Sequence, residues 1–288
     1  MYPRLFEFGA VTVYTYGVLL AAAYLFGLKL AMVRAKARGL DANRVLDLGI
    51  YIIISALIGA KLLLLITDFR TFTANPRELL TLARSGGVFY GGLILAVVVA
   101  LVYIRKVGLP LWTTTDVFAP GIALGHVVGR FGCLFAGCCY GKPTTLPWGI
   151  TFRDPFAAAN VGTPLGVPLH PTQLYEAGGE LALFGLLLWL RPRLRDRPGA
   201  LLLTYATLYA LLRFAVEIFR GDFARLYVVS LQAPRLAVLL RLPAAEPLFL
   251  SVGQLTSIAI LAAAAAAFVA RRRAWRRLIG ASAPASES

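Results

Sequence analysis

The sequence predicts an all-α, multi-pass membrane protein: a bundle of about seven transmembrane helices with an outside-facing loop cap. Of its 288 residues, 59% are hydrophobic, and the mean hydropathy is +0.73. Soluble domains are usually only about 45–50% apolar. Charged residues make up 15% of the chain, and most Lys and Arg residues stand at the ends of long apolar runs. This placement is typical of helices that end at the surface of a bilayer.

Each predicted span is an apolar run of about 20 residues, the helix length that crosses the hydrocarbon core. The runs cover approximately residues 14–33, 46–66, 88–104, 116–139, 174–190, 200–219 and 252–270. Residues 1–280 are therefore interpreted as a single transmembrane domain, and the polar residues 281–288 as a disordered tail. The segments Tyr140–Pro171 and Gly221–Ser251 lie between spans and are predicted to form the cap.

The distribution of basic residues predicts the orientation. One set of loops, with the C-terminal segment, carries 15 Lys and Arg residues, whereas the other set carries 10 over longer segments. The positive-inside rule then places the C-terminus in the cytoplasm and the N-terminus outside. Basic residues at the ends of the spans interact with anionic lipid headgroups, which accounts for the net charge of +15. We therefore expect membrane lipid as a partner and no nucleic acid.

Among the charged residues that fall inside predicted spans, the hardest to explain by structure alone are Lys61, Arg130, Arg213 and Glu217. A charge near the bilayer centre costs about 2.5–3.5 kcal/mol on insertion scales, so such residues are usually functional. Arg213 and Glu217 are four residues apart and share one helix face, where they are predicted to pair. Two interpretations stay open for them, a buried packing pair and a polar cavity open to the outer leaflet.

Arg130 lies in a glycine-rich segment, residues 125–143, with the sequence GHVVGRFGCLFAGCCYGKP. A guanidinium among glycines suits a phosphate, because its planar fork binds oxyanions at two points. A helix-packing motif with an Arg that reaches the interface is the alternative.

The same segment also holds Cys133, Cys138 and Cys139, and a second cluster that would complete a thiolate metal site is missing. We expect reduced, buried thiols, with a disulfide or a catalytic thiol as alternatives.

Two further segments combine polar residues with a span. SGGVFYGG, residues 85–92, carries Tyr90 and also fits a helix-packing turn. HPTQLYE, residues 170–176, also fits an N-capping turn with Thr172 as the cap and Tyr175 as an aromatic anchor.

In this order, the segments resemble the prolipoprotein diacylglyceryl transferase family of the bacterial inner membrane. The resemblance covers nearly the whole chain and rests on YG at Tyr16–Gly17, DLG at Asp47–Gly49, IGAK at Ile58–Lys61, GGVFYGG, D-x-x-A-P at Asp116–Pro120, GR-x-G at Gly129–Gly132, HPTQLYE, and Y-x-x-x-R-x-x-x-E-x-x-R at Tyr209, Arg213, Glu217 and Arg220. The family has seven spans, an outside N-terminus and a cytoplasmic C-terminus, which is the topology that the charge count predicts.

The resemblance implies a reaction and a set of site residues. The diacylglyceryl group of phosphatidylglycerol is transferred to the lipobox cysteine thiol of a preprolipoprotein signal peptide, the first step of lipoprotein maturation, and glycerol 1-phosphate leaves. The resemblance implies no cofactor and no metal. The implied catalytic residues are Tyr90, Arg130, Arg213 and Glu217; those implied to bind phosphatidylglycerol are Arg130, Tyr16, Tyr209, Gly91, Gly92, His170 and Gln173. In this scheme the arginines hold the phosphate, and Glu217 orients Arg213 or binds the glycerol headgroup.

Two positions depart from the family pattern. Tyr90 stands where the best-studied members carry His, and Cys133 stands where Asn is common. An unperturbed phenol has a pKa of about 10, against about 6.5 for imidazole, so Tyr90 is a poor base at neutral pH. Tyr90 is then expected to donate a hydrogen bond, while an arginine-rich field lowers the pKa of the acceptor thiol. The alternatives are a drifted paralogue that binds lipid with lost or altered transferase activity and, from another class, a transporter or channel.

Overall fold

A computed structural model describes residues 2–9, 11–74, 87–222, 227–243 and 247–281 of the chain. Within these ranges the protein is mainly helical, with short two-stranded sheets between the helices. The elements in chain order are β1 (Arg4–Phe8), β2 (Val11–Tyr14), α1 (Thr15–Ala37), α2 (Ala42–Thr67), α3 (Phe69–Ala74), α4 (Phe89–Val107), α5 (Leu111–Ala136), β3 (Ile150–Thr151), α6 (Pro155–Val161), β4 (Pro168–Leu169), α7 (Thr172–Leu190), α8 (Ala200–Phe219), β5 (Tyr227–Leu231), α9 (Pro234–Leu239), β6 (Phe249–Ser251) and α10 (Val252–Ala281).

Six of the described helices are long and apolar enough to cross a membrane, which confirms a multi-pass membrane protein. They are α1, α2, α4, α5, α8 and residues Val252–Leu278 of α10. The fifth predicted span folds as the 19-residue helix α7 and is not among the six. Gln173, Glu176 and Glu180 make the first half of α7 polar, and these side chains are buried by the protein itself. The count of about seven spans therefore depends on α7.

Most predicted spans end within a few residues of the helices, and the fourth contains an error. Residues 116–139 were predicted as one span, whereas α5 begins at Leu111 and ends at Ala136. Gly137 follows with a φ of +80°, a conformation that favours glycine, and turns the chain out of the helix. Cys138 and Cys139 consequently lie in a turn beyond the span. The predicted disorder at 281–288 falls almost entirely outside the described residues.

The contacts within the chain divide it into two compact units, Leu28–Val117 and Met1–Gly27 with Phe118–Ser288. In the first unit, α2 packs along α4 through glycines. A Cβ atom on Gly59 would collide with the carbonyl oxygen of Gly91, and a Cβ atom on Gly91 would collide with that of Gly59. A Cβ atom on Gly92 would meet the carbonyl oxygen of Ala56 at 2.7 Å. Close backbone approach of this kind is typical of helix pairs in membranes.

In the second unit, α8 packs against both α7 and α10. One cluster of buried apolar side chains joins α5, α7 and α8, and it contains Ala119, Ala123, Leu187, Leu201 and Tyr205. A second cluster joins α8 to α10 through Leu203, Ala264 and Trp275. These contacts hold α5, α7 and α8 in register, which matters because the charged residues lie on the same three helices.

The two predicted cap segments are structured where they are described, and they bond to each other in the second unit. Residues 140–171 contain β3, α6 and β4, while β5, α9 and β6 lie between residues 227 and 251. The amide of Gly221 donates to the carbonyl oxygen of Tyr140 at 3.0 Å. The buried ammonium of Lys142 donates to the carbonyl oxygen of Pro247 at 3.0 Å. Hydrogen bonds that the sequence alone does not reveal therefore connect the two segments.

Candidate active site

Three helices of the second unit each present polar side chains at four-residue spacing. These are His126 and Arg130 on α5, Glu176 and Glu180 on α7, and Tyr205, Tyr209, Arg213 and Glu217 on α8. Residues four apart lie on one face of a helix. The three faces meet, because side chains of α7 contact side chains of both α5 and α8.

Glu176 links the two arginines that the sequence singled out. Its Oε1 accepts a hydrogen bond from Nη2 of Arg130 at 2.8 Å, and its Oε2 accepts one from Nη1 of Arg213 at 3.3 Å. The side chain of Glu176 is 3% exposed, whereas Arg130 and Arg213 are 18% and 17% exposed. The carboxylate is therefore the buried support, and the guanidinium groups form the accessible side of the cluster.

The row of ionic contacts continues along α8. Nη2 of Arg213 lies 2.6 Å from Oε2 of Glu217, which confirms the predicted pair. Nη1 of Arg220 lies 3.9 Å from the same oxygen, and Arg220 also binds Asp222 through two hydrogen bonds of 2.8 and 2.6 Å. Arg130, Glu176, Arg213, Glu217, Arg220 and Asp222 thus alternate in sign. We call these six residues the charge row.

The charge row sums to zero when its groups are ionised, which differs from the expected arginine-rich field. Each buried charge has a partner of opposite sign, as burial in a low-dielectric environment requires. The hydroxyl of Ser251 donates to Oε1 of Glu217 at 3.1 Å and adds a neutral contact. Gly253 leaves room for the same carboxylate, because a Cβ atom there would lie 2.8 Å from the Cδ atom of Glu217.

A second group of polar side chains lies one helical turn from the charge row. Nδ1 of His126 lies 2.7 Å from Oε1 of Glu180 and 3.1 Å from the hydroxyl of Tyr205. The ring of Tyr209 packs on both neighbours, at 5.2 Å from His126 and 5.8 Å from Tyr205. Tyr209, predicted to bind phosphatidylglycerol, therefore lies between this group and the arginines. Tyr16, on α1, packs against α5, because a Cβ atom on Gly132 would lie 3.2 Å from its Cδ2 atom.

The three cysteines gather at the end of α5. Their Sγ atoms all lie within 4.8 Å of one another, and the thiols are free. Cys139 has a φ of +59°, in the left-handed region that few residues other than glycine adopt. Hydrogen bonds from the thiols of Cys133 and Cys138, together with Arg220 and Arg130, hold the pKa of the Cys139 thiol well below its usual range.

Thr172 and Gln173 fix the backbone of this cysteine turn. The hydroxyl of Thr172 donates to the carbonyl oxygen of Cys139 at 2.7 Å, and Nε2 of Gln173 donates to that of Cys138 at 2.8 Å. The interpretation of Thr172 as an N-cap is wrong, because Thr172 is the first residue of α7 and its hydroxyl binds another segment. The predicted contact of Gln173 with phosphatidylglycerol stays a prediction.

His170 lies in the wall of an apolar cavity of about 540 Å³. Its Nδ1 lies 3.1 Å from the hydroxyl of Tyr175, which also accepts a hydrogen bond from the indole of Trp148. Burial, with a contribution from the nearby charge of Lys142, lowers the pKa of His170 and so favours the neutral imidazole. The cavity is also lined by Leu146, Leu212, Ala215, Val216, Phe219, Leu239, Leu240 and Arg241. A direct contact of His170 with the headgroup stays a prediction.

Tyr90, Gly91 and Gly92 belong to the other compact unit. Tyr90 lies in the first turn of α4, and its ring packs edge-on against Phe89 at 5.7 Å. Gly91 and Gly92 face α2, which agrees with the helix-packing interpretation of this segment. The catalytic role of Tyr90 and the lipid contacts of both glycines stay predictions.

Several residues of this site were missed by sequence reasoning. Glu176, His126, Glu180 and Tyr205 were not named as site residues, although each stands four residues from a polar residue on the same helix. We applied the four-residue spacing to Arg213 and Glu217 only. The same spacing on α5 and α7 indicates the polar face of each helix, whereas the contacts between these faces are visible only in the structure.

The helices and the charge row define the class: a multi-pass membrane protein that holds an ionic site among its helices. Comparison with known proteins gives the family. Residues 3–270 match the family model of the prolipoprotein diacylglyceryl transferases, and the chain belongs to this family.

Similar proteins carry the same family name. The phosphatidylglycerol–prolipoprotein diacylglyceryl transferase of Clostridium tetani is 36% identical over 223 residues, which cover 77% of this chain and 86% of that protein. The transferase of the same name from Synechococcus elongatus is 32% identical, with 76% of this chain and 77% of that protein covered. The transferase from Finegoldia magna is 32% identical, with 80% and 88% covered.

Proposed function

We propose that the chain transfers the diacylglyceryl group of phosphatidylglycerol to the lipobox cysteine of a preprolipoprotein, and that the charge row is the site of transfer. Relatives with 32–36% identity are named for phosphatidylglycerol and for prolipoprotein. The observation that carries the choice of site is the bridge from Arg130 through Glu176 to Arg213. These names also favour an active enzyme over a relative that only binds lipid.

Arg130 and Arg213 are assigned to the phosphate. Glu176 takes one N–H group of each guanidinium, and each planar fork has further donors for a second oxyanion. The side chains of the two arginines are more exposed than that of Glu176, which supports binding of the phosphate on their side of the cluster. Because the total charge of the charge row is zero, positive charge is concentrated only beside the arginines. The row therefore favours one anionic group at that position and does not attract anions in general.

The reaction increases the negative charge of the phosphate. Phosphatidylglycerol carries one negative charge on a diester, and departure of glycerol 1-phosphate turns this diester into a monoester with a charge of about −1.5 to −2 at neutral pH. Donors that are already aimed at the phosphate stabilise this later state more than the first one. The arginines thereby lower the barrier for breaking the carbon–oxygen bond, and Glu176 with Glu217 keeps them in position.

The remaining predicted residues are assigned to the glyceryl part and to the acceptor. Tyr209 and Tyr16 are assigned to the glyceryl part, and Tyr90 keeps the hydrogen-bond donor role that the family resemblance implies. The apolar cavity beside α8 fits an acyl chain or the apolar stretch of a signal peptide. We place the protein in the bacterial inner membrane with its N-terminus outside and its C-terminus in the cytoplasm, because basic residues concentrate on the C-terminal side.

Rescue of a bacterium depleted of its own transferase tests this function. We expect the wild-type gene to restore growth and lipid-modified lipoprotein, and the Arg130→Ala and Arg213→Ala genes to fail at equal membrane levels. Arg4→Ala is the matched control, because Arg4 forms an exposed pair with Glu7. Failure of the wild-type gene despite insertion in the membrane would contradict the proposed function. A C-terminal reporter that is active only on the outer side would contradict the orientation.

A further inference from the structure

The three cysteines form a preformed cluster, although their spacing in the sequence does not indicate a metal site. Cys133 comes from the last turn of α5, while Cys138 and Cys139 come from the turn that follows. Their Sγ atoms lie within 4.8 Å of one another. Three sulfurs around a tetrahedral Zn²⁺ at about 2.3 Å lie roughly 3.8 Å apart, which is at most about 1 Å closer than these sulfurs lie.

Contacts from α7 hold the turn in a conformation that it would not adopt alone. Cys139 is in the left-handed region, and such residues persist only where the surroundings fix them. Thr172 binds the carbonyl oxygen of Cys139, and Gln173 binds that of Cys138. Gly137 must be glycine, because its φ is +80° and a Cβ atom would lie 2.8 Å from that of Ala157. The convergence of the three sulfurs is therefore built into the fold.

The surroundings of the cluster suit thiolates. Arg130 lies three residues before Cys133 and therefore shares its face of α5. Three thiolates and one divalent ion carry a net charge of −1, which a neighbouring guanidinium stabilises. Soft thiolate ligands select Zn²⁺ or Cu⁺ over hard ions such as Mg²⁺ and Ca²⁺. A site with three protein ligands keeps a fourth position for a water molecule or a substrate.

We propose that Cys133, Cys138 and Cys139 bind one thiophilic metal ion, with Zn²⁺ as the probe, and that the acceptor cysteine of the substrate occupies its fourth position. The second half of the proposal rests on the proposed function. It assigns the activation of the acceptor thiol, for which Tyr90 is a poor base, to a centre beside the arginines that are assigned to the phosphate. In this respect the proposal departs from the metal-free site that the family resemblance implies.

The proposed step balances. The acceptor thiol binds the ion and releases its proton to water, since a coordinated thiol is deprotonated. The metal-bound sulfur attacks the terminal glyceryl carbon, so that a sulfur–carbon bond forms while the bond from this carbon to the phosphate oxygen breaks. The electron pair of that bond leaves with glycerol 1-phosphate beside Arg130 and Arg213. The thioether product is a weaker ligand than a thiolate, which favours its release.

Metal binding is measured first and without reference to activity. The full chain is purified in detergent, reduced, freed of metal, and titrated with Zn²⁺ or with Co²⁺ as a spectroscopic probe. We expect one ion per chain, a sulfur-to-cobalt charge-transfer band, and protection of all three thiols from maleimide. The C133S/C138S/C139S variant is expected to lose all binding, whereas Asn160→Ser, an exposed substitution on α6, keeps it. Because thiol protection is measured on the wild type, the test remains valid if the serine variant does not fold.

Three results would overturn the metal site: less than a tenth of an ion per wild-type chain, equal binding by the serine variant, or a disulfide among the three cysteines in protein isolated from cells. For the second half, a lipobox peptide is expected to change the cobalt spectrum, and a peptide with Ser in place of Cys is not. Metal removal is expected to slow transfer at least tenfold, with recovery on addition of Zn²⁺. If metal-free protein transfers at the full rate, only the role of the metal in activating the thiol is overturned. If protein with one bound Zn²⁺ per chain shows no transfer activity, the proposed function is overturned.

Discussion

The carboxylate of Glu176 accepts a hydrogen bond from the guanidinium of Arg130 at 2.8 Å, across the interface of α7 and α5. The other oxygen of Glu176 binds Arg213 on α8, so one buried side chain sets the distance between two arginines on different helices. Under the proposed function, this arrangement makes Glu176 a positioning residue of the phosphate site, and its substitution is expected to affect both arginines.

Glu176→Gln is the substitution that isolates this role, because it preserves shape and removes the charge. We expect kcat/KM to fall roughly 10- to 100-fold, since a hydrogen bond to a charged group contributes about 1.5–3 kcal/mol. The measurement is transfer by purified protein over a range of phosphatidylglycerol concentrations. Glu7→Gln is the matched control, because Glu7 binds Arg4 while its side chain is 54% exposed, and it is expected to act like the wild type. Equal activity of both variants would show that the bridge has no part in catalysis.

Gly91→Ala tests the packing of α2 on α4. The added methyl group would collide with the carbonyl oxygen of Gly59, and overpacking of this kind costs about 1–3 kcal/mol. We expect a lower melting temperature and a smaller folded fraction in detergent. Gly185→Ala on α7 is the control, because no atom lies within 4 Å of the new methyl group, and its melting temperature is expected to stay unchanged. Two variants of equal stability would refute the packing role and favour the predicted lipid contact.

Thr172→Val tests the contact that fixes the cysteine turn. Valine has the shape of threonine but cannot donate to the carbonyl oxygen of Cys139, a loss of about 1–3 kcal/mol for a buried group left without its partner. We expect faster maleimide labelling of the three thiols and a lower melting temperature. In Thr204→Val the lost contact is to a helix carbonyl of α8 four residues earlier, so little change is expected. Unchanged labelling in the Thr172 variant would mean that the turn keeps its conformation without α7.

Tyr90→Phe tests whether the phenol hydroxyl belongs to the mechanism. We expect transfer to fall at least tenfold with little change in melting temperature, because the ring and its contact with Phe89 are retained. Tyr51→Phe, on α2, removes an equivalent hydroxyl from a residue that has no predicted role and is expected to leave activity unchanged. Full activity of the Tyr90 variant would remove Tyr90 from the catalytic set and leave the reaction itself unaffected.

The sequence predicts the membrane class, the helices and the Arg213–Glu217 pair because these depend on local composition and on spacing along one helix. The error at residues 137–139 has a local cause as well: apolar cysteines continue the hydropathy of α5, although Gly137 ends the helix. The link from Glu176 to both arginines and the convergence of the cysteines depend on contacts between elements distant in the chain. Such contacts leave no periodic signal in a single sequence.

The most direct test of the central claim follows both products of transfer. Purified protein is mixed with phosphatidylglycerol labelled in its diacylglyceryl group and with a lipobox peptide, and labelled peptide and free glycerol 1-phosphate are counted together. We predict that the wild type forms the two products in equal amounts and that Arg130→Ala and Arg213→Ala are each at least 100-fold slower, the usual effect of removing a donor to a developing oxyanion. Peptide labelling that persists at the wild-type rate in both arginine variants would contradict the account.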